Sequence, residues 1–126
     1  MRARLRQVFL AELAAARAFE AAGELDAAWT RLERAHVLSQ AHAVPHVRVH
    51  LAMAAFAFRR RDLAELLGQI PRILLAAPGS LTGRAPRGNT GGADVGIFTP
   101  MPIPPDLAQW LEQRPDDAAH RGEAGN

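Results

Sequence analysis

The chain has 126 residues, of which 48% are hydrophobic, and a formal net charge of +2. This length predicts one domain with its own hydrophobic core. The absence of cysteine excludes disulfides, thiolate metal sites and a cysteine nucleophile. The small net charge provides no basic field for nucleic acid, and no segment approaches the roughly 20 apolar residues of a membrane span. We therefore expect a cytoplasmic protein that binds neither nucleic acid nor membrane.

Hydrophobic periodicity predicts four helices in the first 77 residues. The predicted helices span residues 5–22, 24–40, 45–60 and 62–76. The first ends at Gly23, and Pro45 suits the first turn of the third, where its missing N–H costs nothing. Asp62 is the predicted N-cap of the fourth helix, and Pro71 predicts a kink or a break inside it. The second helix shows the apolar stripe of a core-facing helix, made of Leu25, Ala28, Trp29, Leu32, Ala35 and His36.

An internal repeat relates residues 20–38 to residues 58–76 at an offset of 38 residues. Gly23-Glu24-Leu25 in the first copy corresponds to Arg61-Asp62-Leu63 in the second. The first copy resembles a tetratricopeptide repeat, with a period slightly longer than is usual for that repeat. The predicted fold is therefore all-α, with two tetratricopeptide-like helical hairpins in residues 1–77.

The composition changes after Ala77, since seven of nine prolines and eight of ten glycines lie beyond it. This region also contains many large apolar side chains, which a solvated linker would lack. We expect residues 78–113 to form an irregular Gly/Pro-rich strip that packs on the helices, with a short helix at 106–113. Residues 1–113 would then be one domain, and residues 114–126 a disordered tail.

Four segments resemble a small bacterial family known only as domain-of-unknown-function family 3703. They are LERAHVLSQ (32–40), VPHVRVHLAM (44–53), GNTGGADV (88–95) and MPIPPDL (101–107). The resemblance implies that the histidine-bearing turn and the Gly/Pro-rich region belong to one structural unit. It implies no activity.

The candidate functional feature is a group of histidines, because four of the five lie within fifteen residues. In antiparallel hairpins, helical rise brings several of them to one level together with two glutamates. The predicted metal ligands are His36, His46, His50, Glu12 and Glu33. Imidazoles with a carboxylate suit a divalent transition metal: Zn²⁺, Fe²⁺, Co²⁺, Ni²⁺ or Cu²⁺. His42 lies in the link between two helices and is expected to be solvated.

Two other interpretations of the histidines remain open at this point. They could be packing and capping residues of a tetratricopeptide-like interaction scaffold, with Glu12 paired to an arginine, and with a protein partner or a second copy on the helical surface. They could also form a metalloenzyme centre with an open coordination position. No catalytic residue or organic cofactor site can be assigned, so we expect a small metal- or ligand-binding protein rather than an enzyme.

Overall fold

A computed structural model describes residues 1–112, and this part of the chain contains five α-helices and no strand. The helices are α1 Ala3–Ala21, α2 Leu25–Ser39, α3 Ala43–Arg59, α4 Leu63–Leu81 and α5 Pro105–Glu112. The all-α prediction is thus confirmed for these residues, whereas the predicted tail at 114–126 lies outside them. Among the described helices, none is both long enough and apolar enough to cross a membrane.

The first four helices pack as two hairpins, α1 against α2 and α3 against α4, with α2 also packed on α3. The main core lies between them and excludes water from nine side chains. Its buried members are Phe9, Leu13, Ala16, Ala28, Leu32, Ala35, Val49, Met53 and Phe56. A second, smaller cluster joins Leu107 of α5 to residues of α1 and α2.

The two hairpin turns have the same backbone geometry at positions 38 residues apart. Gly23 and Arg61 both take the left-handed conformation, with φ of 76° and 57°. In each turn the next amide donates to a carbonyl five residues earlier, Glu24 to Phe19 and Asp62 to Ala57. This is the Schellman ending of a helix. The internal repeat seen in the sequence therefore corresponds to a repeated helix-ending turn.

Helix α4 is longer than the sequence predicts, because it runs without a break through Pro71 and Pro78 to Leu81. The prediction that it ends near residue 76 is wrong. Both prolines lie on the exposed side of the helix. Each removes one backbone hydrogen bond, but on that side the carbonyl left without a partner can bond to water.

Residues 82–104 form neither helix nor strand, and side chains of the helices bind their backbone. Gln40, which directly follows α2, donates to the Pro86 carbonyl and accepts from the Gly88 amide. Arg72 of α4 donates to the Val95 carbonyl at 2.7 Å. These bonds fix the 82–104 segment against α2 and α4, next to the histidines.

Candidate metal centre

Three histidines meet in the space enclosed by α2, α3, α4 and the 82–104 segment. His36 comes from the buried face of α2, and His46 and His50 lie one turn apart on α3. Each is only 3–5% exposed. Their Nε2 atoms form a nearly equilateral triangle, with 3.0 Å from His36 to each of the others and 3.2 Å between His46 and His50.

The other ring nitrogen of each histidine faces an oxygen atom. His36 Nδ1 lies 2.7 Å from the Asn89 carbonyl, and His50 Nδ1 lies 2.7 Å from Gln69 Oε1. His46 Nδ1 lies 2.8 Å from Ser80 Oγ and 3.2 Å from the Ala76 carbonyl. These partners hold the three rings in fixed orientations.

The surrounding hydrogen bonds decide the direction of these contacts. The backbone carbonyl that faces His36 can only accept. Ser80 Oγ uses its own proton to bind the Gln40 carbonyl, so it accepts from His46. The amide nitrogen of Gln69 donates to a Glu65 carboxylate oxygen and to the Gly91 carbonyl, so its oxygen must face His50. All three Nδ1 atoms are therefore donors.

It follows that each neutral ring presents an unprotonated Nε2 to the other two. Burial lowers the pKa of His46 and of His50 to about 4 and lowers the pKa of His36 well below its usual value. At neutral pH three lone pairs thus converge within 3.0–3.2 Å of one another. This arrangement is repulsive unless a cation lies between them.

The size of the triangle suits a transition metal. For Zn–N bonds of 2.0–2.1 Å, nitrogens on one ion lie about 2.9–3.4 Å apart when the ligand angles are about 90–110°. The ligand-competent atoms of the three histidines all lie within 4.8 Å of one another. The donor set is also appropriate, because neutral imidazole is a common ligand of divalent transition metals.

A cavity of about 290 Å³ adjoins the triad. It lies between α4 and the 82–104 segment, and all three histidines form part of its wall. The rest of the wall is mainly apolar, with Leu75, Ala76, Pro78, Ile97 and Phe98 among its members. An ion on the triad would therefore have space for a further ligand.

The structure brings together three of the five predicted ligands and places the two glutamates outside the group. Glu12 accepts hydrogen bonds from Arg31 and Arg34 at 3.2 and 3.0 Å, which satisfies its buried carboxylate. Glu33 lies beside Trp29, and burial raises the pKa of its carboxyl group. Equal height along the helices therefore did not place these carboxylates among the histidines, since height does not specify which face a side chain occupies.

The residues that orient the rings were not predicted from the sequence. Asn89 lies in the strip that the sequence predicts only as irregular, yet its backbone carbonyl is the acceptor for His36, and its side chain donates to the Gly96 and Thr99 carbonyls. Gly91 packs on the His36 ring so closely that a Cβ there would lie 2.6 Å from it. Gln69 is a polar residue in the mainly apolar sequence of α4, and this was the sequence feature that could have indicated its role.

Comparison with known families identifies the chain. Residues 3–111 match a family described as a protein of unknown function, DUF3703. The chain belongs to this family. The match includes α1 to α4, the 82–104 segment and nearly all of α5, so the triad and the residues that orient it lie within the family domain. No curated protein and no solved structure matches the chain.

Proposed function

We propose that this protein binds one divalent transition-metal ion through Nε2 of His36, His46 and His50. The observation that supports this most is the uniform direction of the three Nδ1 contacts, which leaves all three Nε2 lone pairs pointing at a common centre. Metal-binding histidines are typically held in this way, with the second ring nitrogen donating to a carbonyl, hydroxyl or amide oxygen.

Three protein ligands leave at least one coordination position for water or another ligand. The cavity beside the triad provides room for that ligand. We therefore favour an open metal centre over a closed structural one. Zn²⁺, Co²⁺, Ni²⁺, Cu²⁺ and Fe²⁺ all accept imidazole ligands, and the ion that is bound will depend on geometry and availability.

Metal titration of the untagged protein tests this proposal. Calorimetry with Zn²⁺, Co²⁺, Ni²⁺ and Cu²⁺ at pH 7.5 should detect one site per chain. Substituting His50→Ala removes one of three ligands and should weaken binding at least 100-fold. The matched control is His42→Ala, because His42 precedes α3 and lies outside the triad. Its affinity should stay within about twofold of wild type.

The triple variant His36→Ala/His46→Ala/His50→Ala supplies the decisive comparison. If the unaltered protein binds none of the four ions more tightly than this variant, the proposal is wrong. Circular dichroism of each variant shows whether the helices are retained, and a variant that has lost them is replaced by the corresponding His→Gln. The histidines would then have only a structural role, through the contacts of their Nδ1 atoms.

A second candidate function is that of an interaction scaffold, which the outer face of α3 and α4 favours. Eight large apolar side chains of these helices are exposed by 51–79%. They are Val44, Leu51 and Phe58 of α3 and Leu63, Leu67, Ile70, Leu74 and Leu81 of α4. The charged side chains of α4 are Glu65 and Arg72, and both bind the 82–104 segment rather than extend this surface.

We propose a second copy of the chain as the occupant of this face. From Leu63 to Leu74 the exposed residues of α4 follow at spacings of four, three and four, and Leu81 lies a further seven residues on. This pattern suits helix–helix packing against an identical stripe. Eight large apolar side chains that are each more than half exposed can supply the apolar interior of a stable interface, in which each partner buries ~800 Å², about 60% of it apolar. Residues 113–126 contain no large apolar side chain that would cover the face instead.

Sedimentation of the full chain tests this second proposal. We expect a dimer at 50 µM that dissociates in the variant Leu67→Glu/Leu74→Glu. The control is Phe98→Glu, because Phe98 is also exposed but lies in the 82–104 segment. A monomeric wild-type protein would refute self-association. Co-sedimentation of that monomer with anionic vesicles would instead assign the face to a membrane surface.

A further inference from the structure

One wall of the cavity beside the triad carries a positive charge that is not neutralised by a carboxylate. Arg72 is 9% exposed, and its guanidinium donates to the Gly68 and Val95 carbonyls, each at 2.7 Å. Within residues 1–112, ion pairs involve Arg31, Arg34 and Arg59, and no carboxylate lies within 4.0 Å of Arg72. Because a guanidinium has five N–H donors, the two carbonyls leave donor capacity for another group.

The same charge lies close to the histidines. Arg72 and all three histidines line one cavity. With a divalent ion on three neutral imidazoles, that ion and the buried Arg72 would both border one mainly apolar cavity, whose lining also includes the exposed Arg84. Burying such charges without an anion is costly. The completed site therefore requires a negatively charged ligand.

The remaining wall defines the rest of that ligand. Most of the surface that lines the cavity is apolar, which disfavours a strongly hydrated dianion such as phosphate. A volume of about 290 Å³ is at the lower end of the range for small-molecule sites. It suits one aromatic ring or a short alkyl chain with a single charged group.

We propose that the metal-loaded cavity binds a small monocarboxylate with an apolar body. The carboxylate would ligate the ion and face Arg72, and the body would lie between α4 and Ile97 of the 82–104 segment. This inference rests on the proposed metal site. It adds a ligand class to that site and involves no bond-making or bond-breaking step in the ligand.

Three probe compounds separate the contributions of charge and apolar body in the unaltered protein. Full-length protein loaded with Co²⁺ is titrated with benzoate, with benzyl alcohol, which lacks the charge, and with acetate, which lacks the ring. Benzoate should bind at least tenfold more tightly than either of the others. It should also change the visible absorption bands of the bound Co²⁺, because a carboxylate enters the coordination sphere.

Two variants test the parts of the cavity wall that are proposed to contact the carboxylate and the apolar body of the ligand. Arg72→Met also removes a bond to the 82–104 segment, so it is compared with wild type at saturating Co²⁺. It should weaken benzoate binding at least tenfold and leave the binding of uncharged benzyl alcohol within twofold, since only a positive charge beside the ligand is removed. Leu75→Trp narrows the cavity from an exposed position, so it carries little risk to folding. It should weaken benzoate binding at least fivefold and leave acetate binding within twofold.

The outcomes distinguish the two proposals. If the protein does not bind Co²⁺, the metal proposal and this inference both fail. If Co²⁺ binds but benzoate neither binds nor changes the spectrum, only the ligand inference is refuted. Equal affinities for benzoate and acetate, or tighter binding of inorganic phosphate than of benzoate, would also overturn it.

Discussion

Gln69 offers a sharp test of the idea that hydrogen bonds preset the metal site. Its Oε1 atom accepts from His50 Nδ1 at 2.7 Å, and its Nε2 atom donates to the Gly91 carbonyl at 2.9 Å. The substitution Gln69→Leu keeps much of the volume but removes both contacts, together with the bond from Nε2 to the Glu65 carboxylate. His50 can then rotate or take the other tautomer, in which Nε2 carries the proton and cannot ligate.

The expected effect has two parts. Loss of a residue that orients a ligand typically reduces metal affinity 10–100-fold, which corresponds to about 1.4–2.8 kcal/mol. The metal-free protein should also lose about 2–6 kcal/mol of unfolding free energy, because the buried groups on His50 and Gly91 each lose a partner. Zinc calorimetry measures the first effect and urea unfolding the second.

Ser80→Ala is the matched control. It removes one acceptor of His46 Nδ1, but the Ala76 carbonyl at 3.2 Å remains. The ring keeps its tautomer, so zinc affinity should stay within about threefold of wild type. If Gln69→Leu retains its helices and binds zinc as tightly as wild type, or if Ser80→Ala weakens binding equally, the orientation argument is wrong.

Three further predictions concern the stability of the metal-free chain, measured by urea unfolding. Because burial lowers the pKa of His46 and His50 to about 4, the unfolded state binds more protons than the folded state below about pH 6.5. The free energy of unfolding should therefore be constant above that pH and fall towards pH 4, and a flat profile would contradict this. Arg61→Gly should raise the free energy of unfolding by roughly 1 kcal/mol, because it relieves a left-handed φ of 57° at a non-glycine residue, and Gly23→Ala, at φ 76° with open space around it, should lower it by about as much. Two changes of the same sign would refute the common turn geometry. Gly88→Ala should lower the free energy of unfolding by at least ~3 kcal/mol, since the new Cβ would lie 1.8 Å from the Met101 carbonyl oxygen. A loss no larger than that of Gly23→Ala would show that Gly88 and Met101 are not in such close contact.

The sequence was sufficient to predict the helices because their signals are local. Apolar periodicity and Gly23 located the first hairpin, and the end of α2 is predicted to within one residue. The end of α4 was not predictable in this way. Proline is expected to end a helix because it leaves one backbone carbonyl without its N–H donor. Pro71 and Pro78 lie on the exposed side of α4, where water can donate to that carbonyl instead, so the helix continues.

The candidate site was predictable only where its residues are close in sequence. His46 and His50 share a face because they are one turn apart, and His36 belongs to the apolar stripe of α2. The partners that orient the rings are distant, since Asn89 is 53 residues from His36. No local pattern encodes such a contact. Glu12 was predicted to be a ligand because it lies at the same height along the hairpin as the histidines, but two arginines of α2 already neutralise its carboxylate.

The position of Asn89 has a consequence for how the protein matures. Helical hairpins form early in folding because their contacts are local, whereas docking of residues 82–104 requires closure of long loops. Until Asn89 reaches His36, one of the three rings has no fixed tautomer. We therefore expect high-affinity metal capture to be a late event. Newly made chains would acquire their ion only after the segment has docked, and the bound ion would then hold the docked segment in place.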